Sequence, residues 1–254
     1  MIIAFDAQEC ADAQASAPSS PMTATRHLRV ATYNIHRTIG NDGQRDPARI
    51  AAVIDELGAD IIALQEVDWR SDRDDDLIAA ATTETGYHAV AGSNLRRHRG
   101  EYGNLLLSRL AVRRVRRIDL SQNRKEPRGA IDVDLTGGGA TLRVIATHFG
   151  LRAIERWRQA ARLRDAIADH PDHPLLVLGD FNDWCPGCPS LRPLLTMVAA
   201  SPRRASFPSR RPLLALDRIL YRNIAASPCF RAHATPLAHS ASDHLPVVGE
   251  IVLD

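Results

Sequence analysis

Cysteine is scarce in this chain, which limits what can hold the fold together. Only four of the 254 residues are cysteines, at positions Cys10, Cys185, Cys188 and Cys229. So few thiols exclude a disulfide framework as the basis of a fold of this size. Free thiols are typical of proteins in the reducing cytosol, so we expect a cytoplasmic location.

Long apolar runs are missing as well. No segment approaches the roughly 18 consecutive apolar residues of a transmembrane helix, and the first residues lack the basic start and apolar length of a signal peptide. The sequence therefore predicts neither stable membrane insertion nor export. Within residues 1–26, the stretch from Gln8 to about Thr25 is rich in Ala, Ser and Pro without a hydrophobic period. This composition predicts a disordered leader, followed by one folded domain over residues 27–254.

Neither sign of charge dominates the composition. The 32 basic residues nearly balance the 30 acidic ones, and the net charge is only +2, which does not indicate an obligate nucleic-acid-binding protein. Lys125 is the only lysine, and arginines cluster within residues 96–99, 113–117 and 210–211. Such runs indicate either a solvated surface or a phosphate-binding patch.

Hydrophobic periodicity predicts strands mixed with helices. A helical run opens at Pro47 and stops at Gly58, and a second helix is predicted over residues 151–168. The predicted buried face of this second helix comprises Leu151, Ile154, Trp157 and Ile167. Strands are predicted at residues 28–35, 61–64, 87–91, 103–108, 112–119, 130–135, 142–147, 174–178, 215–221 and 247–253. This order indicates an α/β (α+β) fold in which two packed sheets are flanked by helices.

Polar residues recur where the apolar strands end, which is where open α/β folds place their sites. Each residue alone has an ordinary explanation as a turn, a helix cap or a surface group. Together they offer hard oxygen ligands and little thiolate, which suits Mg²⁺ or Mn²⁺ better than Zn²⁺. Two histidines could move protons or stabilise charge at phosphorus. The residues are Asn34, Glu66, His148, Asp180, Asn182, Asp217, Asp243 and His244.

Seven segments carry a more specific signal. They are Thr32–His36, Leu64–Val67, Gly103–Ser108, Thr147–Phe149, Gly179–Asn182, Leu216–Leu220 and Ser242–Val247. These segments resemble the motifs of the endonuclease/exonuclease/phosphatase superfamily, the fold of deoxyribonuclease-like enzymes, and they occur in the superfamily's order. The resemblance implies a four-layer αββα sandwich with two mostly antiparallel or mixed sheets. It also implies a divalent-metal-dependent phosphoesterase that hydrolyses a phosphodiester or phosphomonoester by in-line attack of an activated water.

The resemblance extends to the metal ligands and to the nucleophilic water. Glu66 resembles the principal metal carboxylate, and Asn34 and Asp243 would complete or neighbour the site for Mg²⁺ or Mn²⁺. Asp180 and Asn182 would hold and activate the attacking water.

The same resemblance implies roles for two histidines and an arginine. His244 is similar to a histidine that acts either as general base or as donor to the phosphate oxygens, with Asp217 orienting its ring. His148 resembles a second histidine that stabilises the phosphorane or its leaving group, and Glu101 is a candidate to orient it. Arg128 is similar to an arginine that reaches the scissile phosphate, where a planar fork of donors is better than a point charge.

The resemblance does not determine the substrate, since one scaffold serves several phosphate esters. The arginine clusters favour a nuclease-like enzyme with DNA among its phosphate-ester substrates, and a phospholipid or small-molecule phosphodiesterase or phosphatase is the alternative. A non-catalytic binding relative would be expected to lose Glu66, Asp180 or His244, and all three are present. The spacing of Cys185 and Cys188 also permits a redox or zinc site, although a Pro/Gly turn is the favoured interpretation.

Overall fold

Thirteen strands and four α-helices make up the part of the chain that the structure describes. The computed structural model describes residues 26–70, 86–97, 100–137, 140–185, 189–226 and 230–253. The strands are β1 (Arg26–Asn34), β2 (Ile61–Arg70), β3 (His88–Arg97), β4 (Gly100–Ser108), β5 (Ala111–Asp119), β6 (Gly129–Gly137), β7 (Ala140–His148), β8 (Leu175–Asp180), β9 (Ala199–Ala200), β10 (Asp217–Arg222), β11 (Ala225–Ala226), β12 (Arg231–Ala232) and β13 (Val247–Leu253). The α-helices are α1 (Pro47–Leu57), α2 (Ala153–Ile167), α3 (Arg192–Leu195) and α4 (Pro236–Ala241).

Two short 3-10 helices complete the elements, at His36–Thr38 and Pro189–Leu191. The predicted disordered leader lies outside the described residues, apart from Arg26, which begins β1. Within those residues, no helix combines the length and the apolar character needed to cross a membrane.

The strands form two mixed sheets. The first sheet contains seven of the described strands: six follow the order β11-β13-β1-β2-β4-β3, and β12 pairs with β13 off this path. In the second sheet, six strands follow the order β5-β6-β7-β8-β10-β9. Each sheet contains a parallel pair, β1 with β2 in the first and β7 with β8 in the second. The other pairings between described strands are antiparallel.

Three apolar clusters separate four layers. The central cluster lies between the sheets and includes Val30 and Leu176. One outer cluster packs Ile50 of α1 on the first sheet, and the other packs Leu163 of α2 on the second sheet, together with Val177. Because successive strand residues point to opposite faces, β8 serves both the central and the outer cluster. The predicted αββα sandwich is confirmed.

Helix α1 begins and ends at local signals that the sequence contains. The Asp46 carboxylate accepts a hydrogen bond from the backbone N–H of Arg49 at 3.0 Å, so Asp46 is the N-cap. Pro47 occupies the first turn, where its missing N–H is no loss. Gly58 ends the helix in the left-handed region at φ 53°, a conformation that glycine adopts without strain.

The buried face of α2 differs from the prediction. The exposed fractions are 73% for Leu151, 58% for Ile154 and 45% for Trp157. Only Ile167 of the predicted set is buried. The inner face instead holds Arg156 and Gln159, which bond to loop backbone: Arg156 Nη1 donates to the carbonyl oxygen of Leu151 at 2.6 Å, and Gln159 Oε1 accepts from the N–H of Gly150 at 2.8 Å. Polar side chains with such partners can be buried.

Gly179 is required for the close approach of β7 and β8 directly before Asp180. A Cβ at this position would lie 2.2 Å from the carbonyl oxygen of Thr147. We therefore expect Gly179→Ala to lower the free energy of unfolding in urea by about 1–3 kcal/mol. The matched control is Gly137→Ala, whose Cβ would mainly meet the flexible end of Arg26 and should cost less than about 1 kcal/mol. Equal losses in the two variants would contradict this account.

Candidate active site

Three polar residues form a row across one end of the second sheet. Parallel pairing places His148 of β7 opposite Asp180 of β8, and antiparallel pairing places Asp217 of β10 opposite Asp180. Residues in register on neighbouring strands direct their side chains to the same face. The sheet order thus brings three buried side chains together that are distant in the sequence.

The first sheet contributes Asn34 and Glu66. Asn34 ends β1, while Glu66 lies in β2 where its register against β4 shifts between Leu64 and Val67. Glu66 has φ 58°, a value that is rare for a residue other than glycine and is often retained at functional sites. The Nδ2 group of Asn34 donates to Oε1 of Glu66 at 3.2 Å. The irregularity in β2 therefore accompanies a specific contact between these two side chains.

A side-chain hydrogen bond connects the two sheets at this point. Nδ2 of Asn34 donates to Oδ2 of Asp180 at 3.0 Å, so the Asn34 amide lies between the carboxylates of Asp180 and Glu66. A cavity of about 560 Å³ opens beside it. The predicted site residues that line this cavity are Asn34, Glu66, Arg128, His148, Asp180, Asn182 and His244.

His244 is held by a carboxylate behind its ring. Its Nδ1 lies 2.8 Å from Oδ2 of Asp217, which also accepts a hydrogen bond from the hydroxyl of Ser206 at 2.6 Å. The ring of Phe207 packs on the imidazole with centroids 4.8 Å apart. Burial alone would lower the pKa of His244, but the charge and hydrogen bond of Asp217, with smaller contributions from other carboxylates, raise it to about 10. The ring is therefore protonated at neutral pH, and both of its nitrogens are donors.

His148 is held in the opposite protonation state. Its Nδ1 lies 3.0 Å from Nη1 of Arg128, and since a guanidinium can only donate, Nδ1 must be the acceptor. Burial and the charge of Arg128 lower the pKa of His148 to about 3. The neutral ring carries its proton on Nε2, which lies 3.5 Å from Oδ2 of Asp180. Arg128 therefore occupies the Nδ1 side of the ring. A carboxylate that orients the ring, the role predicted for Glu101, would have to bind at this same nitrogen.

Asp180 is the central carboxylate of the group. Its Oδ2 faces Asn34, and it lies 3.8 Å from Nε2 of His244. Its Oδ1 accepts a hydrogen bond from the backbone N–H of Asn182 at 2.9 Å. Asn182 has φ 51°, and its Nδ2 donates to the carbonyl oxygen of Phe149 at 3.0 Å and lies 3.2 Å from Nε2 of His148. Asp180 and Asn182 thus face the cavity as a linked pair.

Asp243, which the sequence predicts as a metal neighbour, does not line the cavity. The Asp243 carboxylate lies 3.7 Å from Nδ1 of His36 and 3.4 Å from the Ser242 hydroxyl. Cys185 is half-buried on the loop that follows Asn182, but Cys188 lies outside the described residues.

Sequence reasoning assigned no role to Ser206 and Phe207, although both touch the Asp217–His244 pair. Neither is a charged residue at the end of a predicted strand, and neither lies in one of the seven motif segments. Ser206 reaches Asp217 across 11 positions and Phe207 reaches His244 across 37, so the contacts depend on tertiary folding. No local signal in the sequence could have identified them.

The donor set fits a hard divalent cation. Among the described residues, ligand atoms of Asp180, Asp217 and His244 lie within 4.8 Å of one another. His244 already uses Nδ1 to hold Asp217, so this buried acidic and histidine cluster is better suited to hydrogen bonding than to direct coordination through that nitrogen. On the cavity side, Glu66 supplies carboxylate oxygen, the donor type that Mg²⁺ or Mn²⁺ prefers. Asn34 turns its Nδ2 toward the carboxylates of Glu66 and Asp180, and its Oδ1 accepts a hydrogen bond from the backbone N–H of His36 at 3.1 Å.

Comparison with known proteins identifies the family. The model of the Endonuclease/Exonuclease/phosphatase family matches residues 31–244, a range that includes every site residue from Asn34 to His244. The chain belongs to this family. Proteins of the family are in general phosphoesterase hydrolases, so membership supports a phosphoesterase.

Relatives of the family resemble the chain over most of its length. The uncharacterized protein YbhP of Escherichia coli K12 is 31% identical, and the match covers 89% of this chain and 96% of YbhP. The crystal structure of an endonuclease/exonuclease/phosphatase from Bacteroides vulgatus matches 90% of this chain and 100% of its own, with 18% identity and a TM-score of 0.74. The structure of ANGEL2, a 2',3'-cyclic phosphatase, matches 90% of this chain and 96% of its own, with 14% identity and a TM-score of 0.68. At 18% and 14% identity, these two structural similarities show a shared fold and no more.

The Asp217 carboxylate should control the protonation of His244. We expect Asp217→Asn to lower the pKa of His244 well below that of the unaltered protein, because the largest raising influence is removed while burial remains. Nitrogen-15 NMR of the imidazole ring as a function of pH measures this pKa. Asp165→Asn is the matched control, since Asp165 is exposed and bonds to its neighbour Arg164. An unchanged titration of His244 in Asp217→Asn would refute the assignment.

Proposed function

We propose that this protein is a divalent-metal-dependent phosphoesterase that hydrolyses a phosphodiester or phosphomonoester by in-line attack of water. The observation that carries the proposal is the convergence of Glu66, His148, Asp180 and His244 on one cavity. Carboxylates, hydrogen-bond donors and histidines of opposite protonation state are the groups that this reaction needs.

The donors in the cavity are arranged to bind a phosphate group. His244 offers a positively charged N–H at Nε2, and Arg128 adds a buried guanidinium next to the neutral His148. Charge-assisted hydrogen bonds of this kind are stronger than neutral ones. We therefore assign His244 the role of donor to the phosphate oxygens and His148 the role of donor to the leaving oxygen through Nε2–H.

Asp180 and Asn182 are proposed to hold the attacking water. Asp180 is the acceptor, because the protonated His244 has no lone pair to take a proton. As the water oxygen bonds to phosphorus, its proton passes to the Asp180 carboxylate and the ester P–O bond breaks. The leaving oxygen takes a proton from solvent while His148 stabilises its charge. Proton transfer to a positioned carboxylate typically contributes about 10²–10⁴-fold to the rate.

Glu66 and Asn34 are the residues that would hold Mg²⁺ or Mn²⁺, with Asp243 as a neighbouring acid. The bound ion would neutralise negative charge that develops on the phosphate oxygens. The Asn34 amide meanwhile keeps the carboxylates of Glu66 and Asp180 at fixed positions.

The arginine clusters that favour a nuclease-like substrate are partly neutralised in the structure. Arg116 forms hydrogen bonds to both Asp132 and Asp134, at distances of 2.6–2.9 Å. Arg210 donates to the backbone carbonyl of Asn41. The side chains of residues 96–99 lie outside the described set. Hydrolysis of DNA remains part of the proposal, and a phospholipid or small phosphoester is the alternative.

Metal dependence can be tested with purified protein. Bis-p-nitrophenyl phosphate, plasmid DNA, abasic duplex and phospholipids are offered with Mg²⁺, with Mn²⁺ or with EDTA. We expect turnover of at least one substrate that EDTA abolishes. Glu66→Gln should reduce this turnover by a factor of at least about 10², because one metal carboxylate is removed. Glu250→Gln is the control and should retain the turnover, since Glu250 forms an exposed ion pair with Arg29. Turnover that is equal with and without metal would contradict the proposal.

Asp180 should be needed for the chemical step. Asp180→Asn keeps the shape of the side chain but removes the proton acceptor, so kcat should fall about 10²–10⁴-fold. His244→Ala removes the phosphate donor and should also reduce kcat. Asp165→Asn is the control, and thermal unfolding is measured for every variant to confirm that it is folded. Full activity in Asp180→Asn would show that another group accepts the proton.

A further inference from the structure

Three large apolar side chains are exposed at the start of α2, and we call them the apolar ridge: Leu151, Ile154 and Trp157. Ile154 and Trp157 are three positions apart in the helix, which places them on the same side. Their exposed fractions of 58% and 45%, with 73% for Leu151 just before the helix, are unusual for residues that periodicity predicts to be buried. Contiguous exposed apolar surface in a soluble fold marks an interaction site.

The ridge begins at the mouth of the cavity. Leu151 lines the cavity together with His148 and Asp180. The start of α2 is fixed there by Arg156, whose Nη1 donates to the carbonyl oxygen of Leu151 and whose Nε lies 3.5 Å from Ser190 Oγ. A molecule that binds to the ridge would therefore also reach the cavity, and α2 would not have to move.

The exposed charges of residues 151–164 are all positive. Arg152 and Arg158 are exposed beside the ridge, while Glu155, the only acidic residue of positions 151–164, is buried. The outward surface of this segment thus combines aliphatic side chains, a tryptophan and arginines. This combination is typical of segments that lie in the interface of an anionic bilayer, where Trp and Arg meet the headgroups and apolar groups enter the acyl boundary.

We propose that the apolar ridge docks this protein on an anionic phospholipid surface and that the cavity beside it acts on the phosphoester of a lipid. The second half of this proposal rests on the proposed function. Electrostatic attraction of Arg152 and Arg158 to anionic headgroups supplements the burial of apolar area. Trp184 is exposed on the loop after Asn182. Trp184 is two positions from Asn182, which lines the cavity, and its neighbour Asp183 is joined to α2 through Ser190, which bonds to both Asp183 and Arg156.

Nucleic acid is a poorer match for the ridge. A surface for nucleic acid would present mainly basic groups with planar rings for stacking. Here two of the three exposed side chains are aliphatic, and Ile154 and Leu151 offer nothing to a phosphate backbone.

Vesicle sedimentation tests the docking directly. The full chain is mixed with vesicles of phosphatidylcholine alone or of an equal mixture of phosphatidylcholine and phosphatidylglycerol. We expect the protein to sediment with the mixed vesicles, and Ile154→Glu/Trp157→Glu to weaken this binding at least about tenfold, since two apolar contacts are replaced by charges that the surface repels. Val115→Glu is the control, because Val115 is an exposed apolar residue on a different element, β5, and this variant should bind as the unaltered protein does.

Hydrolysis of bis-p-nitrophenyl phosphate separates docking from catalysis. The ridge variant should keep turnover of this soluble substrate while it loses hydrolysis of phospholipid in mixed vesicles. Failure of the unaltered protein to hydrolyse any substrate would overturn the proposed function and the lipid-hydrolysis half of this inference, and sedimentation would still decide the docking. Docking is overturned if the unaltered protein binds neither vesicle or if the ridge variant binds equally well. It is also overturned if light scattering shows that the unaltered protein is a dimer and the ridge variant a monomer. The same holds if the ridge variant keeps its binding to vesicles and loses binding to a DNA duplex.

Discussion

The hydrogen bond between the amide of Asn34 and the carboxylate of Asp180 is the contact on which the site depends. It joins the end of β1 in the first sheet to the end of β8 in the second. It thereby joins Glu66 and Asn34 of the first sheet to the row of His148, Asp180 and Asp217 on the second. The central apolar cluster brings the two sheets face to face, and the Asn34 amide then sets the spacing of Asp180 from Glu66.

The two histidines owe their different protonation states to what lies behind each ring. Asp217 holds Nδ1 of His244 and raises its pKa to about 10, whereas burial and Arg128 lower the pKa of His148 to about 3. Groups of the same type with pKa values moved apart can take different roles at one pH. His244 is thus protonated and His148 neutral at neutral pH, and Nε2 of each ring faces Oδ2 of Asp180, at 3.8 Å and 3.5 Å.

Helix α2 shows a conflict between sequence pattern and structure at the rim of the same site. Its periodicity predicts that Leu151, Ile154 and Trp157 are buried, but Arg156 and Gln159 occupy the inner face because they satisfy backbone groups of the adjoining loops. Places where local rules fail in an otherwise consistent fold are often functional. The failure here leaves apolar side chains in solvent beside the cavity mouth, which is costly unless a partner covers them.

The sequence by itself determined the layered architecture, the ends of helix α1 and the positions of most polar residues at the site, because periodicity, caps and strand ends are local properties. It also placed Glu66 and Asp180 directly after predicted apolar strands. Only the tertiary structure decided which of these side chains meet, since Asn34 and Asp180 are 146 positions apart. It alone revealed Ser206 and Phe207 behind His244, Arg128 on His148, the position of Asp243 outside the cavity lining and the outward face of α2. These features depend on register, burial and competition for hydrogen bonds between distant segments, and no local pattern encodes that competition.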